Sequence, residues 1–126
     1  MKPKKILRFY FGADSLERAF DNLITGAAFD FGSDTLKTCE KLCVVIGEKM
    51  KLERLWAYLD GILSAFSDGE REVLKKYSAR RDVPLTDSEK REAKRVVIKF
   101  TRRARRLGEF EDSFPILKKY FCLIKI

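Results

Sequence analysis

The sequence predicts an all-α fold: a single compact helical domain over residues 1–126, built as a bundle of five to six helices with short extended N- and C-terminal segments. Three observations carry this expectation. Only three prolines and seven glycines occur in 126 residues, which favours long regular elements over loops. Apolar residues recur at spacings of three and four through most of the chain, the period of an amphipathic helix. Ser, Thr or Asp stands three positions before a Glu where several of these stripes begin, which marks helix N-termini. With 45% apolar residues, one Trp, four Tyr and ten Phe, the composition argues against disorder. A chain of this length can bury a core without disulfides or metals.

The elements follow in order. In "KKILRFYFG", Leu7, Phe9 and Phe11 alternate with Arg8 and Tyr10, a period of two that predicts an extended segment. "DSLE" places Asp14 as an N-cap with Glu17 three residues on, and Leu16, Ala19, Phe20, Leu23, Ile24 and Ala27 form the first helical stripe. "FDFGSD" interrupts it, with a restart at Ser33 or Asp34. Leu36, Cys39, Leu42, Cys43, Ile46 and Met50 make a second stripe. Leu52, Leu55, Trp56, Leu59, Ile62, Leu63 and Phe66 make a third, the most apolar and the expected centre of the core, with a break between the two near Gly47 to Lys51. "SDGE" at Ser67 is a capping box opening a helix with Val73, Leu74 and Tyr77, which "RRDVP" ends because Pro84 disfavours helix at Val83. "TDSE" at Thr86 launches a long basic helix expected to run to Gly108. Pro115 fits only the first turn of a last short helix, and "YFCLIKI" reads as extended, able to pair with the N-terminal segment.

Net charge is +8, and it concentrates in one place. Positions 90 to 107 hold nine Lys/Arg and one acid. At 100° per residue, Ala93, Val96, Val97, Phe100, Ala104 and Leu107 share a core-facing arc, and the cations occupy the rest. Ile98 lies amid the cations, where a merely solvated helix would more often carry a polar side chain. The candidate binding residues are therefore Lys90, Arg91, Lys94, Arg95, Ile98, Lys99, Arg102, Arg103, Arg105 and Arg106. Arginine dominates, and its planar fork suits bidentate contact with phosphate or carboxylate. Plain solvation is the competing reading: acids in the first turns and arginines in the last are what the helix dipole favours.

Other chemistry is thin. The chain has no histidine, so the commonest general base and metal ligand are missing. Cys39 and Cys43, four residues apart on an apolar stripe, read as buried small hydrophobes rather than ligands. No glycine loop of the phosphate- or dinucleotide-binding kind occurs. The expectation is a non-catalytic protein with no cofactor and no metal. Its partner is nucleic acid, with a regulatory role, or alternatively an acidic protein docked on the arginine-rich face, as by an adaptor. "ILRFYF" is short and broken by Arg8, unlike a signal peptide. No apolar run approaches the roughly 18 residues of a membrane span, and three cysteines suit a reducing compartment. A cytoplasmic protein without a membrane partner is expected.

Two resemblances add to this. "FSDGEREVLKKY", residues 66–77, with "RVVIKFTRRARRL", residues 95–107, resembles the DNA-binding domains of LuxR-type regulators and of sigma-factor region four. That likeness is local and implies major-groove reading by the later helix. Over its whole length, from "MKPKKILRFYFGAD" through "LERLWAYLDG" to "YFCLI", the chain looks like a group of small uncharacterised cytoplasmic proteins of Gram-positive bacteria, a likeness that implies no activity.

Overall fold

The computed structural model describes residues 2–29, 35–79 and 85–124. These residues form an all-α bundle of six α-helices and two 3-10 turns, with no strand among them. The order is α1 (Pro3–Phe11), α2 (Ala13–Phe29), α3 (Thr35–Leu63), α4 (Asp68–Ser78), α5 (Asp87–Arg103), a 3-10 segment (Arg105–Ser113), α6 (Phe114–Tyr120) and a 3-10 turn (Phe121–Leu123). None of these helices is long and apolar enough to cross a membrane.

The N-terminal segment is a helix, not the extended segment that its alternation suggests. Pro3 sits in the first turn, where its missing N–H costs nothing. Ile6, Leu7 and Phe9 are all buried while Tyr10 and Phe11 pack at the edge. An element covered on several sides loses its single-face pattern, so a short apolar run does not distinguish strand from helix. Arg8, the polar interruption, is used rather than solvated: its Nε donates to the Ser78 carbonyl at the end of α4 (2.8 Å). Gly12 makes the one-residue break before α2, its N–H closing on the Arg8 carbonyl at 3.0 Å. α2 therefore begins at Ala13, and Asp14 lies inside its first turn rather than at the cap.

α3 is continuous over 29 residues; the break expected near Gly47 to Lys51 is absent. Gly47 weakens a helix by about 1 kcal/mol relative to Ala, but no proline or cap signal joins it. Its neighbours are also held from both sides. Lys49 donates to Asp21 of α2 at 3.0 Å, and Glu48 accepts from the Tyr120 hydroxyl of α6 at 2.8 Å. The C-terminal half of α3 is the centre of the core, with Leu55, Leu59 and Leu63 fully buried. Around it close Leu7 and Phe9 of α1, Leu16 and Phe20 of α2, Leu74 of α4, Val96 and Phe100 of α5, and Leu117 and Ile124 from the C-terminal region.

The cap signals at Ser67 and Thr86 lie where the sequence places them. Ser67 and Glu70 form the full reciprocal box, at 3.2 and 3.1 Å. Thr86 Oγ1 accepts from the Glu89 N–H at 3.2 Å, while the Glu89 carboxylate takes the threonine hydroxyl rather than a backbone N–H. Pro115 lies in the first turn of α6. The C-terminal "YFCLI" is helical turn rather than extended chain: α6 runs to Tyr120 and a 3-10 turn follows. It still meets the N-terminal helix, but through side chains, with Lys5 and Arg8 over the Phe121 ring at 5.8 and 5.4 Å. The expected interruption at 30–34 and the Pro84 stop lie outside the described residues.

Candidate functional site

α5 supplies the basic face, and its placement starts from its apolar side. Ala93, Val96 and Phe100 are buried, and Val97 packs at the core edge. That fixes the helix rotation, so Arg91, Lys94, Arg95, Ile98 and Arg102 all lie exposed. Acids at Asp87 and Glu89 occupy its first turn and Arg102 and Arg103 its last, an arrangement matched to the helix dipole.

The helix is shorter than its sequence pattern. It ends at Arg103, and Ala104 turns away at φ −89 and ψ 42. Leu107 then bonds back to the Ala104 carbonyl at 3.2 Å, a three-residue step. A contact with α3 forms just past this stop. Tyr58 Oη accepts from the Arg106 N–H at 3.0 Å, and the Tyr58 ring stacks on Phe110 at 5.0 Å. The helix stops five residues before Gly108, and the Arg106 N–H, in the first turn of the 3-10 segment, is satisfied by this distant side chain. Arg105 and Arg106 thus belong to the 3-10 segment and not to the α5 arc.

The structure divides the predicted site residues into two sets. Lys99 is tied to Glu70 of α4, its Nζ 3.0 Å from the carboxylate and 4.6 Å from the Phe66 ring centroid. Arg95 pairs with Glu92 at 2.6 Å and reaches Glu70 at 3.7 Å. Arg106 stands 3.9 Å from Glu109. The Lys99 contact, with the Ser67 N–H second, holds the Glu70 carboxyl below its ordinary value. The Glu92 carboxylate raises Arg95 above its own. These three cations are at least partly neutralised. By contrast Lys90, Arg91, Lys94, Arg102, Arg103 and Arg105 are exposed, and among the described residues none of them makes an ion pair.

Ile98 is 45% exposed and stands between two surface hollows. One, of about 370 Å³, is lined by Arg95, Ile98, Lys99, Arg102 and Arg103. The other, of about 340 Å³, is lined by Tyr77, Leu85, Lys90, Lys94, Val97 and Ile98 among others. The arrangement offers guanidinium and ammonium groups around an apolar ridge, which can hold anions and a flat apolar group. Among the residues lining these hollows there is no histidine, no carboxylate and no cysteine.

Sequence reading missed two contributors. Glu70 was legible only as a capping residue, although its second role, against Lys99, crosses from one helix to the next. Cys39 and Cys43 are exposed rather than buried, and so are Ile46 and Met50 on the same stripe. No signal within that stripe separates it from the core stripe that follows. No protein-family model, no curated protein and no solved structure matches the chain.

Proposed function

We propose that this protein binds nucleic acid without catalysis, through phosphate contacts on the exposed face of α5 and the turn after it. The observation that carries this reading is the set of six basic side chains left without an acidic partner among the described residues. A solvated face on a protein with 19 Asp and Glu has carboxylates to hand, and three of the nine cations use them. The other six are spread along the helix and beyond its end, and a continuous polyanion gains from each contact by releasing condensed counterions. A regulatory role in the cytoplasm is the biological setting this implies.

The test is salt dependence. Binding to duplex DNA or RNA should weaken steeply with ionic strength, each phosphate contact adding about −0.9 to the slope of log K against log salt on duplex DNA. Arg102→Gln with Arg105→Gln should weaken binding to every sequence alike and flatten that slope by roughly two units. Folding should be little affected, because both side chains are exposed. The second reading, an acidic protein docked on the same face, draws on the exposure of Ile98. Ile98→Ser separates the two, since a phosphate grip tolerates it and a protein partner anchored on that side chain loses affinity. Absence of salt-sensitive binding to either nucleic acid at low ionic strength would leave the acidic-protein reading in its place.

A further inference from the structure

A hollow of about 310 Å³ opens where α1, α2 and α3 meet, and no residue of α5 lines it. That volume is near the small end of the roughly 300 to 1,000 Å³ that ligand pockets span, room for one ring and a short chain. Phe9, Leu16, Phe20 and Leu52 line it and are each at most 3% exposed. Its floor is thus the core itself, set before any ligand arrives. Trp56 lines it as well. The indole N–H is already donated to the Tyr10 carbonyl at 3.2 Å, and the ring stacks on Tyr10. Trp56 therefore brings π surface to the hollow and no free donor.

The ionisable groups around the hollow say what enters it. Three carboxylates, Asp14, Glu17 and Glu53, and one ammonium, Lys49, line it on a chain of net charge +8. Lys49 is already engaged, its Nζ 3.0 Å from Asp21 and 3.8 Å from Glu53. Asp14 and Glu17 are exposed, and among the described residues neither makes an ion pair. An anion would find the one cation taken and three carboxylates opposing it. A neutral apolar molecule would suit the floor but would strip water from two carboxylates and return nothing. A cation on an apolar body meets both demands, its charge with the two free carboxylates and the Trp56 ring, its body on the core residues. We propose that this hollow binds a small organic ammonium ion carried on an aromatic or branched aliphatic group.

Trp56 is the single tryptophan of the chain, so its emission reports on this place alone. Titrating the full chain with phenethylammonium should change that emission saturably. Equilibrium dialysis should give the same dissociation constant, on the order of millimolar or tighter for a ligand of this size. Phenylacetate keeps the ring and reverses the charge, and should bind at least about tenfold more weakly. The double variant Asp14→Asn with Glu17→Gln should weaken the amine about fivefold to tenfold. It should leave the binding of neutral phenethyl alcohol undiminished and helical circular dichroism unchanged, which separates lost charge from lost fold. The Arg102→Gln, Arg105→Gln variant should bind the amine like the native chain, so the outcome does not depend on nucleic-acid binding. No saturable binding of the amine below about 10 mM, or saturation without change in Trp56 emission, would overturn the proposal. So would a phenylacetate affinity equal to that of the amine, or an undiminished amine affinity in the double variant.

Discussion

The two halves of α3 carry apolar stripes of similar spacing and meet opposite fates. Leu52, Leu55, Leu59 and Leu63 are at most 3% exposed, whereas Ile46 and Met50 are 42% and 58% exposed on the same continuous helix. The difference lies in what stands opposite. The C-terminal half is met by apolar side chains of α1, α2, α5 and α6. The N-terminal half has α2 on one flank and, among the described residues, no core cluster over Cys39, Cys43, Ile46 and Met50. An amphipathic stripe states which face of a helix can be buried. Whether anything arrives to bury it is decided by the rest of the chain.

That contrast is sharpest at Leu59, which is fully buried at the centre of the cluster. Leu59→Ala should cost about 2 to 5 kcal/mol in denaturant unfolding, from lost transfer energy and the cavity left behind. A loss below about 1 kcal/mol would remove the C-terminal half of α3 from the core and break the comparison.

A smaller effect is expected where α1 is fastened to that half. The Tyr10 hydroxyl donates to Asp60 at 2.7 Å, the Trp56 indole N–H donates to the Tyr10 carbonyl at 3.2 Å, and the two rings stack 5.5 Å apart. Burial, with the Asp60 hydrogen bond second, pushes the Tyr10 phenol up from 10.0 to about 12. The fold thus favours the neutral phenol. Its contribution should be whole below pH 10 and should disappear as pH rises from 10.0 to about 12. Tyr10→Phe should flatten the alkaline limb of the stability profile and remove a late-ionising phenol. Ordinary titration of every tyrosine would mean that α1 does not dock on α3 in this way.

The smallest effect belongs to the exposed half. Ile46→Ser should change unfolding free energy by about 0.5 kcal/mol or less, as is usual for surface positions. A cost comparable to that at Leu59 would show this stripe to be packed and would erase the contrast between the two halves.

Sequence reading reached the fold class, the apolar sides of α5 and of the C-terminal half of α3, and the starts of α4, α5 and α6. It also reached the face of α5 that points outward, because the arc of Ala93, Val96 and Phe100 is a local pattern. It went wrong at Pro3–Phe11, where burial on several sides mimics alternation, and at Gly47, where a glycine within a helix resembles an end. In the candidate site it could number the nine cations but not sort them. Lys99 and Arg95 differ from Lys94 and Arg102 through Glu70, which arrives from another helix.

What the sequence determined by itself are features settled within three or four residues. The Ser67 and Thr86 caps close hydrogen bonds onto N–H groups three positions ahead, and Pro115 needs only a first turn in which no N–H is required. The tertiary structure alone supplied a partner for the backbone just past the end of α5, since the Tyr58 hydroxyl that takes the Arg106 N–H comes from α3. It alone decided that the stripe from Cys39 to Met50 stays uncovered and that six of nine cations keep no acidic partner among the described residues. Each of those outcomes depends on which groups far apart in the chain come within a few ångströms, and no local spacing of residues encodes that distance.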